Sequence, residues 1–271
     1  MNNTKSIGVF DSGIGGLTVV KRLSQTLPDE NIIYFGDTAR VPYGSKSNST
    51  VIEYSIQDTN FLISKDVKAI VVACNTASSV AISELKMQYD IPIIGMIEPG
   101  ALMAIEKSTN KRIGVIGTRS TINNKAYSRA INSIDPIADV YEKACPLFVP
   151  LAEEGWINHK AAFKIAEEYL KELKDLDIDT LVLGCTHYPI LYEVIHEIMG
   201  DNVILIDSGV AAARVVKDEI KKTDLENKSG EDSVTEFYVS DIPTTFKNIA
   251  ELFLGRPIPD IKKVNLETLT V

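Results

Sequence analysis

Two apolar segments that each end in a cysteine followed by polar residues constrain the fold of this chain more than any other feature. The first runs from Lys68 to Val72 and reaches Cys74, and the second runs from Asp179 to Leu183 and reaches Cys185. Short apolar runs of this kind are typical of parallel strands that helices cover on both faces. The pattern therefore predicts an α/β fold with both thiols at strand ends.

The two segments belong to an internal repeat. The cysteines lie 111 positions apart (185 − 74), and a similar shift of 106 (113 − 7) relates Ile7-Gly8-Val9-Phe10-Asp11 to Ile113-Gly114-Val115-Ile116-Gly117. We predict two related α/β domains with mostly parallel sheets, related by a pseudo-two-fold axis, with the active site in the cleft between them. The predicted domains are residues 1–97 together with 208–271, and residues 98–207.

Cys74 is predicted to lie near a helix N-terminus. Thr76 or Ser78 can cap a helix that the apolar spacing places over Val80 to Tyr89. The partial positive charge at such a terminus stabilises a thiolate, so we expect Cys74 to ionise more readily than a free thiol, whose pKa is about 8.5. The alternative is a buried structural cysteine, which is our interpretation of Cys145.

Charge and cysteine content exclude several classes of protein. The formal net charge is −9 over 271 residues, which opposes binding to nucleic acid. A membrane-spanning helix needs about 18 consecutive apolar residues, and no apolar run approaches this length. The first six residues lack the apolar core of a signal peptide. Three cysteines without a CxxC pair argue against a disulfide framework. We expect a cytoplasmic protein with reduced thiols that binds neither nucleic acid nor membranes.

A glycine-rich turn follows the first predicted strand. Asp11 ends that strand, and Gly13-Ile14-Gly15-Gly16 lies just after it, where ligands of parallel sheets bind and where glycine lets backbone N–H groups approach an anion. The spacing differs from the GxGxxG pattern of dinucleotide-binding proteins. A small ligand that bears carboxylates is favoured, and a nucleotide-binding or phosphate-binding module stays an alternative.

The polar residues at these strand ends indicate proton transfer at carbon. Cys74, Cys185, Asp11 and His187 would supply two thiols, a carboxylate and an imidazole. One thiolate removes a proton from carbon and the opposite thiol donates one, while the carboxylate and the imidazole tune or relay these protons. Zinc needs three or four ligands, and the histidines do not cluster with the cysteines at ligand spacing, so no metal site is predicted.

Several segments carry signals of local structure. Glu98-Pro99-Gly100 is predicted to break the chain direction, and the proline-containing segment 146–156 is predicted to be a shaped loop. A helix is predicted from about Asn124 to Asn132. Val234 to Val239 is predicted to be a strand at a sheet edge, with no chemistry in the tail around it.

The chain resembles the bacterial glutamate racemases of the aspartate/glutamate racemase superfamily through five motifs in order. They are Asp11-Ser12-Gly13-Ile14-Gly15-Gly16, Val41-Pro42-Tyr43-Gly44, Ala73-Cys74-Asn75-Thr76-Ala77, Pro150-Leu151-Ala152-Glu153-Glu154-Gly155 and Gly184-Cys185-Thr186-His187-Tyr188-Pro189. The resemblance implies a cofactor-independent enzyme that interconverts L- and D-glutamate and supplies D-glutamate for peptidoglycan. It also implies two α/β domains with the site between them, and a homodimer is expected. A related racemase for aspartate or another amino acid stays open.

The resemblance further implies roles for individual residues. Cys74 would act on the α-proton of D-glutamate and Cys185 on that of L-glutamate. Asp11 and His187 would assist these thiols, and Glu153 would support His187.

A second set of residues would hold the carboxylates and the ammonium group of the substrate. These are Ser12, Pro42, Tyr43, Gly44, Asn75, Thr76, Thr118, Thr121 and Thr186. Asp37 would be a secondary polar contributor. The first predicted strand begins six residues after the start, so we expect the N-terminal extension of precursor-activated members to be absent.

Overall fold

The structure is a computed structural model that describes residues 3–242, 244 and 246–266. The first part of the chain alternates strands with helices, in the order β1 (Ile7–Asp11), α1 (Leu17–Thr26), β2 (Ile32–Gly36), α2 (Asn48–Ser64), β3 (Ala69–Val72), α3 (Asn75–Val80), α4 (Ile82–Gln88) and β4 (Ile93–Ile94). Two short 3₁₀ turns, Thr38–Arg40 and Tyr43–Ser45, lie between β2 and α2.

The second part repeats this alternation. Its elements are α5 (Ile97–Lys107), β5 (Arg112–Gly117), α6 (Arg119–Asn123), α7 (Ala126–Ile134), β6 (Asp139–Ala144), α8 (Phe148–Glu153), α9 (Lys160–Lys174), β7 (Thr180–Gly184), a 3₁₀ turn (Tyr188–Leu191), α10 (Tyr192–Met199) and β8 (Ile204–Asp207). Then α11 (Ser208–Lys222) leads into a final segment of β9 (Thr235–Val239), α12 (Phe246–Leu254) and β10 (Ile261–Lys263). No helix within the described residues is both long and apolar enough to cross a membrane.

The strands form two sheets in which all paired neighbours are parallel. The first has the order β10-β9-β2-β1-β3-β4 and the second has the order β6-β5-β7-β8. The order β2-β1-β3-β4 within the first sheet matches the order of the whole second sheet, so the two halves share one topology. The predicted fold class is confirmed. The predicted domain boundaries stay a prediction.

Strand register places the polar strand ends side by side. In the first sheet Asp11 pairs with Gly36, and Phe10 pairs with Val72, so Asp11 lies at the same edge as Cys74. In the second sheet Gly117 pairs with Gly184, so the residues after these two glycines also share an edge. Ligands of parallel sheets bind outside such carboxyl ends.

Buried apolar side chains fill the space between each sheet and its helices. One cluster joins Val9, Tyr34 and Phe237 of the first sheet to Phe253 of α12, and all four side chains are fully or almost fully buried. Burying one side chain of this size stabilises the folded state by about 1.5–3 kcal/mol. Helix α11 packs against both α1 and α5, and it therefore joins the two halves.

The predicted helix after Cys74 was wrong at its start. Helix α3 begins at Asn75, and its N-cap is Cys74 itself, whose sulfur accepts a hydrogen bond from the Ala77 N–H at 3.5 Å. The thiol therefore takes the capping position that we assigned to Thr76 or Ser78. The chain then continues after Ala81 as α4.

Proline misled two further predictions. Helix α5 includes the predicted break, with Pro99 in its first turn, and α8 includes most of the predicted loop, with Pro150 in its first turn. Proline is tolerated there because the N–H groups of a first turn have no partner within the helix.

Two other boundaries differ from the predictions for reasons of backbone and pairing. The predicted helix 124–132 corresponds to α7, which begins two residues later, at Ala126, because Lys125 adopts a left-handed conformation with φ of 51° and separates α7 from α6. Strand β9 is not at a sheet edge, because β10 pairs with its outer side.

Candidate active site

One cavity of about 180 Å³ receives a cysteine from each half of the molecule. It is lined by Ser12, Pro42, Tyr43, Gly44, Ser45, Cys74, Asn75, Thr76, Thr118, Arg119, Pro146, Val149, Cys185, Thr186 and His187. A larger groove of about 710 Å³ lies among α4, α5, α7 and α11, but no thiol lines it. We therefore place the candidate site in the smaller cavity, because it holds the groups that can transfer protons.

Three of the predicted site residues lie behind the lining residues. Asp11 is fully buried, and its Oδ1 accepts a hydrogen bond from the Thr186 hydroxyl at 3.4 Å. Glu153 contacts His187, with 2.9 Å between Oε1 and Nε2. Thr121 is buried, and its hydroxyl lies 3.0 Å from that of Thr118. The other predicted residues line the cavity, with the exception of Asp37.

Cys74 has surroundings that disfavour its thiolate. Burial and, to a smaller extent, the nearby charge of Asp11 raise the pKa of Cys74 to about 12, although a hydrogen bond from the Ala77 N–H opposes this rise. The thiol donates a hydrogen bond to the Ser12 hydroxyl at 3.5 Å. The predicted lowering of this pKa by a helix N-terminus was wrong, because loss of solvation outweighs one backbone hydrogen bond.

Cys185 lies beside an imidazole. Its sulfur is 3.9 Å from Nδ1 of His187. Burial by itself lowers the pKa of His187, but hydrogen bonds to Cys185 and Glu153 outweigh burial and raise this pKa to about 10. His187 therefore carries a positive charge at neutral pH, and this charge lies next to the sulfur of Cys185.

Asp11 connects the two sides of the site. The Gly13 N–H donates to its Oδ2 at 3.1 Å, and Thr186 donates to its Oδ1. Burial raises the pKa of Asp11, while the positive charge of His187 lowers it. Asp11 thus lies within electrostatic range of both Cys74 and His187.

The glycine-rich turn makes room for the imidazole. A Cβ atom added at Gly15 would lie 2.5 Å from Nδ1 of His187 and would also collide with Thr186. Real Cβ atoms do not approach other atoms this closely, so only glycine fits at this position without displacing the imidazole. The close approach of the imidazole therefore explains why position 15 is glycine, a residue that the sequence analysis associated with anion binding.

Three threonine hydroxyls meet between the two halves. The Thr76 hydroxyl lies 2.9 Å from that of Thr118, and Thr121 completes the cluster. Asn75 is held from behind, because Tyr127 donates to its Oδ1 at 2.7 Å and its Nδ2 donates to Ser208. This wall of the cavity offers hydroxyl groups to a ligand and is anchored by both halves.

Tyr43 lines the cavity, but its hydroxyl faces a buried carboxylate pair. The hydroxyl oxygen lies 2.5 Å from Oδ2 of Asp37 and 3.0 Å from Oδ2 of Asp58. Arg40 forms ion pairs with the same two carboxylates. Asp37 therefore contributes by holding the loop that carries Tyr43, at a distance from the cavity lining.

Sequence reasoning missed several residues of the site. Arg119, Ser45, Pro146 and Val149 line the cavity. The position of Arg119, directly after the predicted Thr118, was a local signal for it, and it is the one lysine or arginine in this lining. Tyr127 had no such signal, because 52 positions separate it from its partner Asn75.

No metal site is apparent in the described part of the chain. His, Cys, Asp and Glu side chains there form no group of three that could hold a metal ion. The three cysteines are free thiols. Cys145 is fully buried away from the cavity lining, and burial raises its pKa.

The molecule has two similar halves, and each contributes one thiol to a single small cavity. This arrangement is typical of enzymes that transfer protons to and from carbon. The family model for Asp/Glu/hydantoin racemases matches residues 7–216, and the chain belongs to this family. Within it, the chain is 48% identical over 263 residues to the glutamate racemase of Geobacter metallireducens, with 97% of each chain covered. The predicted resemblance to glutamate racemases is confirmed.

Two further relatives extend this likeness. The glutamate racemase of Chlorobaculum tepidum is 48% identical over 267 residues, with 98% of each chain covered. A crystal structure of the Francisella tularensis glutamate racemase in complex with D-glutamate superposes with a TM-score of 0.92 at 41% identity, covering 98% of this chain and 99% of that one.

Proposed function

We propose that this chain interconverts L- and D-glutamate by proton transfer through Cys74 and Cys185, without a cofactor. The observation that carries the proposal is that two thiols, one from each half, line a single cavity and have different protonation environments. The Francisella relative, which has been crystallised with D-glutamate, supports the choice of ligand. Such an enzyme would supply D-glutamate for peptidoglycan.

The two environments give each thiol a starting role. Cys74 holds its proton, because its pKa is about 12. Cys185, beside the imidazolium of His187, serves as the base. With L-glutamate, the Cα–H bond breaks as an S–H bond forms at Cys185. The S–H bond of Cys74 then breaks as a new Cα–H bond forms on the opposite face, which gives D-glutamate.

The remaining groups support this exchange. His187, held by Glu153, compensates the charge on Cys185, and Asp11 compensates the substrate ammonium group and faces Cys74. The hydroxyls of Thr76, Thr118 and Thr186, together with Ser12 and the Pro42–Gly44 loop, bind the carboxylates. Arg119 adds a positive charge at the same cavity. In the reverse direction the roles of the two thiols are exchanged.

Isotope exchange tests the two-thiol route. L-glutamate incubated with the enzyme in deuterated water should give D-glutamate that carries deuterium at Cα, because Cys74 has equilibrated with solvent. At low conversion the remaining L-glutamate should stay largely protiated. NMR of both enantiomers measures this. Substantial transfer of protium from substrate into product would indicate a single base and would refute the mechanism.

Substrate choice is tested separately. L-aspartate under the same conditions should react much more slowly than L-glutamate if the cavity selects the longer side chain. Faster conversion of aspartate would favour the alternative that the sequence left open. The homodimer and the cytoplasmic location stay predictions.

A further inference from the structure

The imidazole of His187 has an aromatic neighbour that belongs to the C-terminal segment. The ring of Phe253, in α12, lies 5.4 Å from the His187 ring between centroids, with an angle of 87° between the ring planes. Aromatic pairs favour this T-shaped arrangement, because the edge of one ring carries positive charge and the face of the other carries negative charge. The C-terminal segment, for which the sequence analysis predicted no chemical role, therefore contacts His187.

This contact crosses between the two halves of the molecule. His187 follows β7 of the second sheet, whereas α12 lies between β9 and β10 of the first sheet and packs against α1. Phe253 is fully buried in the same apolar cluster as Leu17 and Val20. A side chain fixed in this way presents a rigid surface to the imidazole.

The hydrogen bonds of His187 leave the orientation of its ring under-determined. The contacts of Nδ1 are long, at 3.9 Å to the sulfur of Cys185 and 3.5 Å to the hydroxyl of Thr186. Glu153, the partner of Nε2, is 41% exposed at the end of α8. Gly15 makes room beside Nδ1 and cannot hold the ring by packing. Phe253 is thus a buried, rigid neighbour that limits rotation of the ring.

We propose that Phe253 is a positioning residue that holds the His187 imidazole with Nδ1 directed at Cys185. This inference rests on the proposed function, because it assumes that His187 assists Cys185. It gives α12 a part in the reaction, since the helix couples the imidazole to the first half of the molecule.

Phenylalanine-to-leucine variants at two positions of α12 test the proposal. Phe253→Leu removes the ring beside His187, and Phe246→Leu is the matched control, because Phe246 lies in the same helix and the same buried cluster. Phe253→Leu should lower kcat roughly tenfold while KM changes less than about twofold, because a small displacement of a catalytic group has a large effect on rate. Phe246→Leu should lose a similar amount of thermal stability but keep kcat.

NMR of the histidine side chains supplies a readout that does not depend on activity. The chain has three histidines, so His187→Gln identifies the His187 resonances. Phe253→Leu should shift these resonances and their apparent pKa, and Phe246→Leu should leave them in place. In the unmodified protein the ring protons of Phe253 and His187 should show a nuclear Overhauser effect, which needs no variant to fold.

The outcomes separate this inference from the function on which it rests. Equal kcat and equal His187 resonances in the two leucine variants, or no Overhauser effect between the rings, would overturn the role of Phe253 in an active enzyme. An unmodified protein that leaves L-glutamate unchanged would instead refute the proposed function, whatever the NMR shows.

Discussion

Cys74 and Cys185 occupy corresponding places in the two halves but have different neighbours. A carboxylate and a hydroxyl lie near Cys74, whereas an imidazolium lies beside Cys185. At the scale of single residues, it is from these neighbours that the proposed mechanism assigns the starting roles of acid and base to the two thiols. The repeat supplies equal positions, and the divergent residues around them supply unequal chemistry.

Removing either thiol should therefore stop the reaction. Cys74→Ala and Cys185→Ala should each lower kcat in both directions by at least about 10³-fold, because each variant lacks one of the two proton carriers. Circular dichroism of enantiopure glutamate measures the rates. Cys145→Ala is the matched control, since this buried thiol lies outside the cavity lining, and it should keep most of the activity. Substantial racemisation by either of the first two variants would contradict the assignment.

At the scale of elements, the turn between β1 and α1 packs against the imidazole of His187. Gly15 approaches His187 so closely that a methyl group has no room. This contact arises between segments 172 positions apart (187 − 15). The glycine-rich turn therefore serves the imidazole directly.

Gly15→Ala should lower kcat by one to two orders of magnitude, because the added methyl group displaces His187 from Cys185. Gly95→Ala is a suitable control, since its Cβ would crowd Ile82 to 2.8 Å outside the active-site cavity. Both variants should lose stability in urea unfolding, but only the first should lose activity. Equal kcat values for the two variants would show that displacement of the imidazole does not slow the reaction.

The loop between β2 and α2 depends on one hydroxyl group. Tyr43 lies between the buried carboxyl groups of Asp37 and Asp58, and burial raises the pKa of Asp58 well above its ordinary value. Tyr43→Phe should destabilise the protein by about 1–3 kcal/mol, because a buried polar group loses its partner. It should also raise KM, since this loop lines the cavity.

Urea unfolding and steady-state kinetics measure these two effects of Tyr43→Phe. Tyr54→Phe is the control, because the Tyr54 ring contacts the same arginine, Arg40, while its hydroxyl makes no hydrogen bond within the described residues. Unchanged stability of Tyr43→Phe would show that water replaces the hydroxyl.

At the scale of the whole molecule, buried acids and bases make stability depend on pH. The pKa of His187 rises from 6.5 to about 10 on folding, so its contribution is complete below pH 6.5 and is lost as pH rises to 10. The pKa of Cys74 rises from 9.0 to about 12, so its contribution is lost between pH 9 and pH 12. Both shifts make the folded protein less stable at alkaline pH.

Thermal unfolding across pH 6 to 10 tests this dependence. The melting temperature of the unmodified protein should fall over this interval, and His187→Gln should flatten the part between pH 6.5 and pH 9. His196→Gln is the control, because His196 is partly exposed and lies outside the cavity lining, and it should keep the unmodified slope. An unchanged slope in His187→Gln would mean that the imidazole is not held in its charged form.

Much of this architecture could be predicted from local sequence patterns. The strands that end near Asp11, Cys74 and Cys185 were predicted within one or two residues, because apolar periodicity depends on burial alone. The first residues of α3, α5 and α8 were not predicted. Helix α3 is capped by a thiol, and α5 and α8 each hold a proline in their first turn, and local sequence patterns do not distinguish these helix starts from loops.

By itself, the sequence determined the α/β repeat, the placement of two thiols at equivalent strand ends and the family. Apolar strand patterns and the order of motifs can be identified in the amino-acid sequence itself. Only the tertiary structure decided the protonation environments and the partners of His187. The pKa of Cys74 depends on burial, and Gly15, Glu153 and Phe253 reach the imidazole from distant segments. Desolvation and contact between remote residues arise only when the chain has folded.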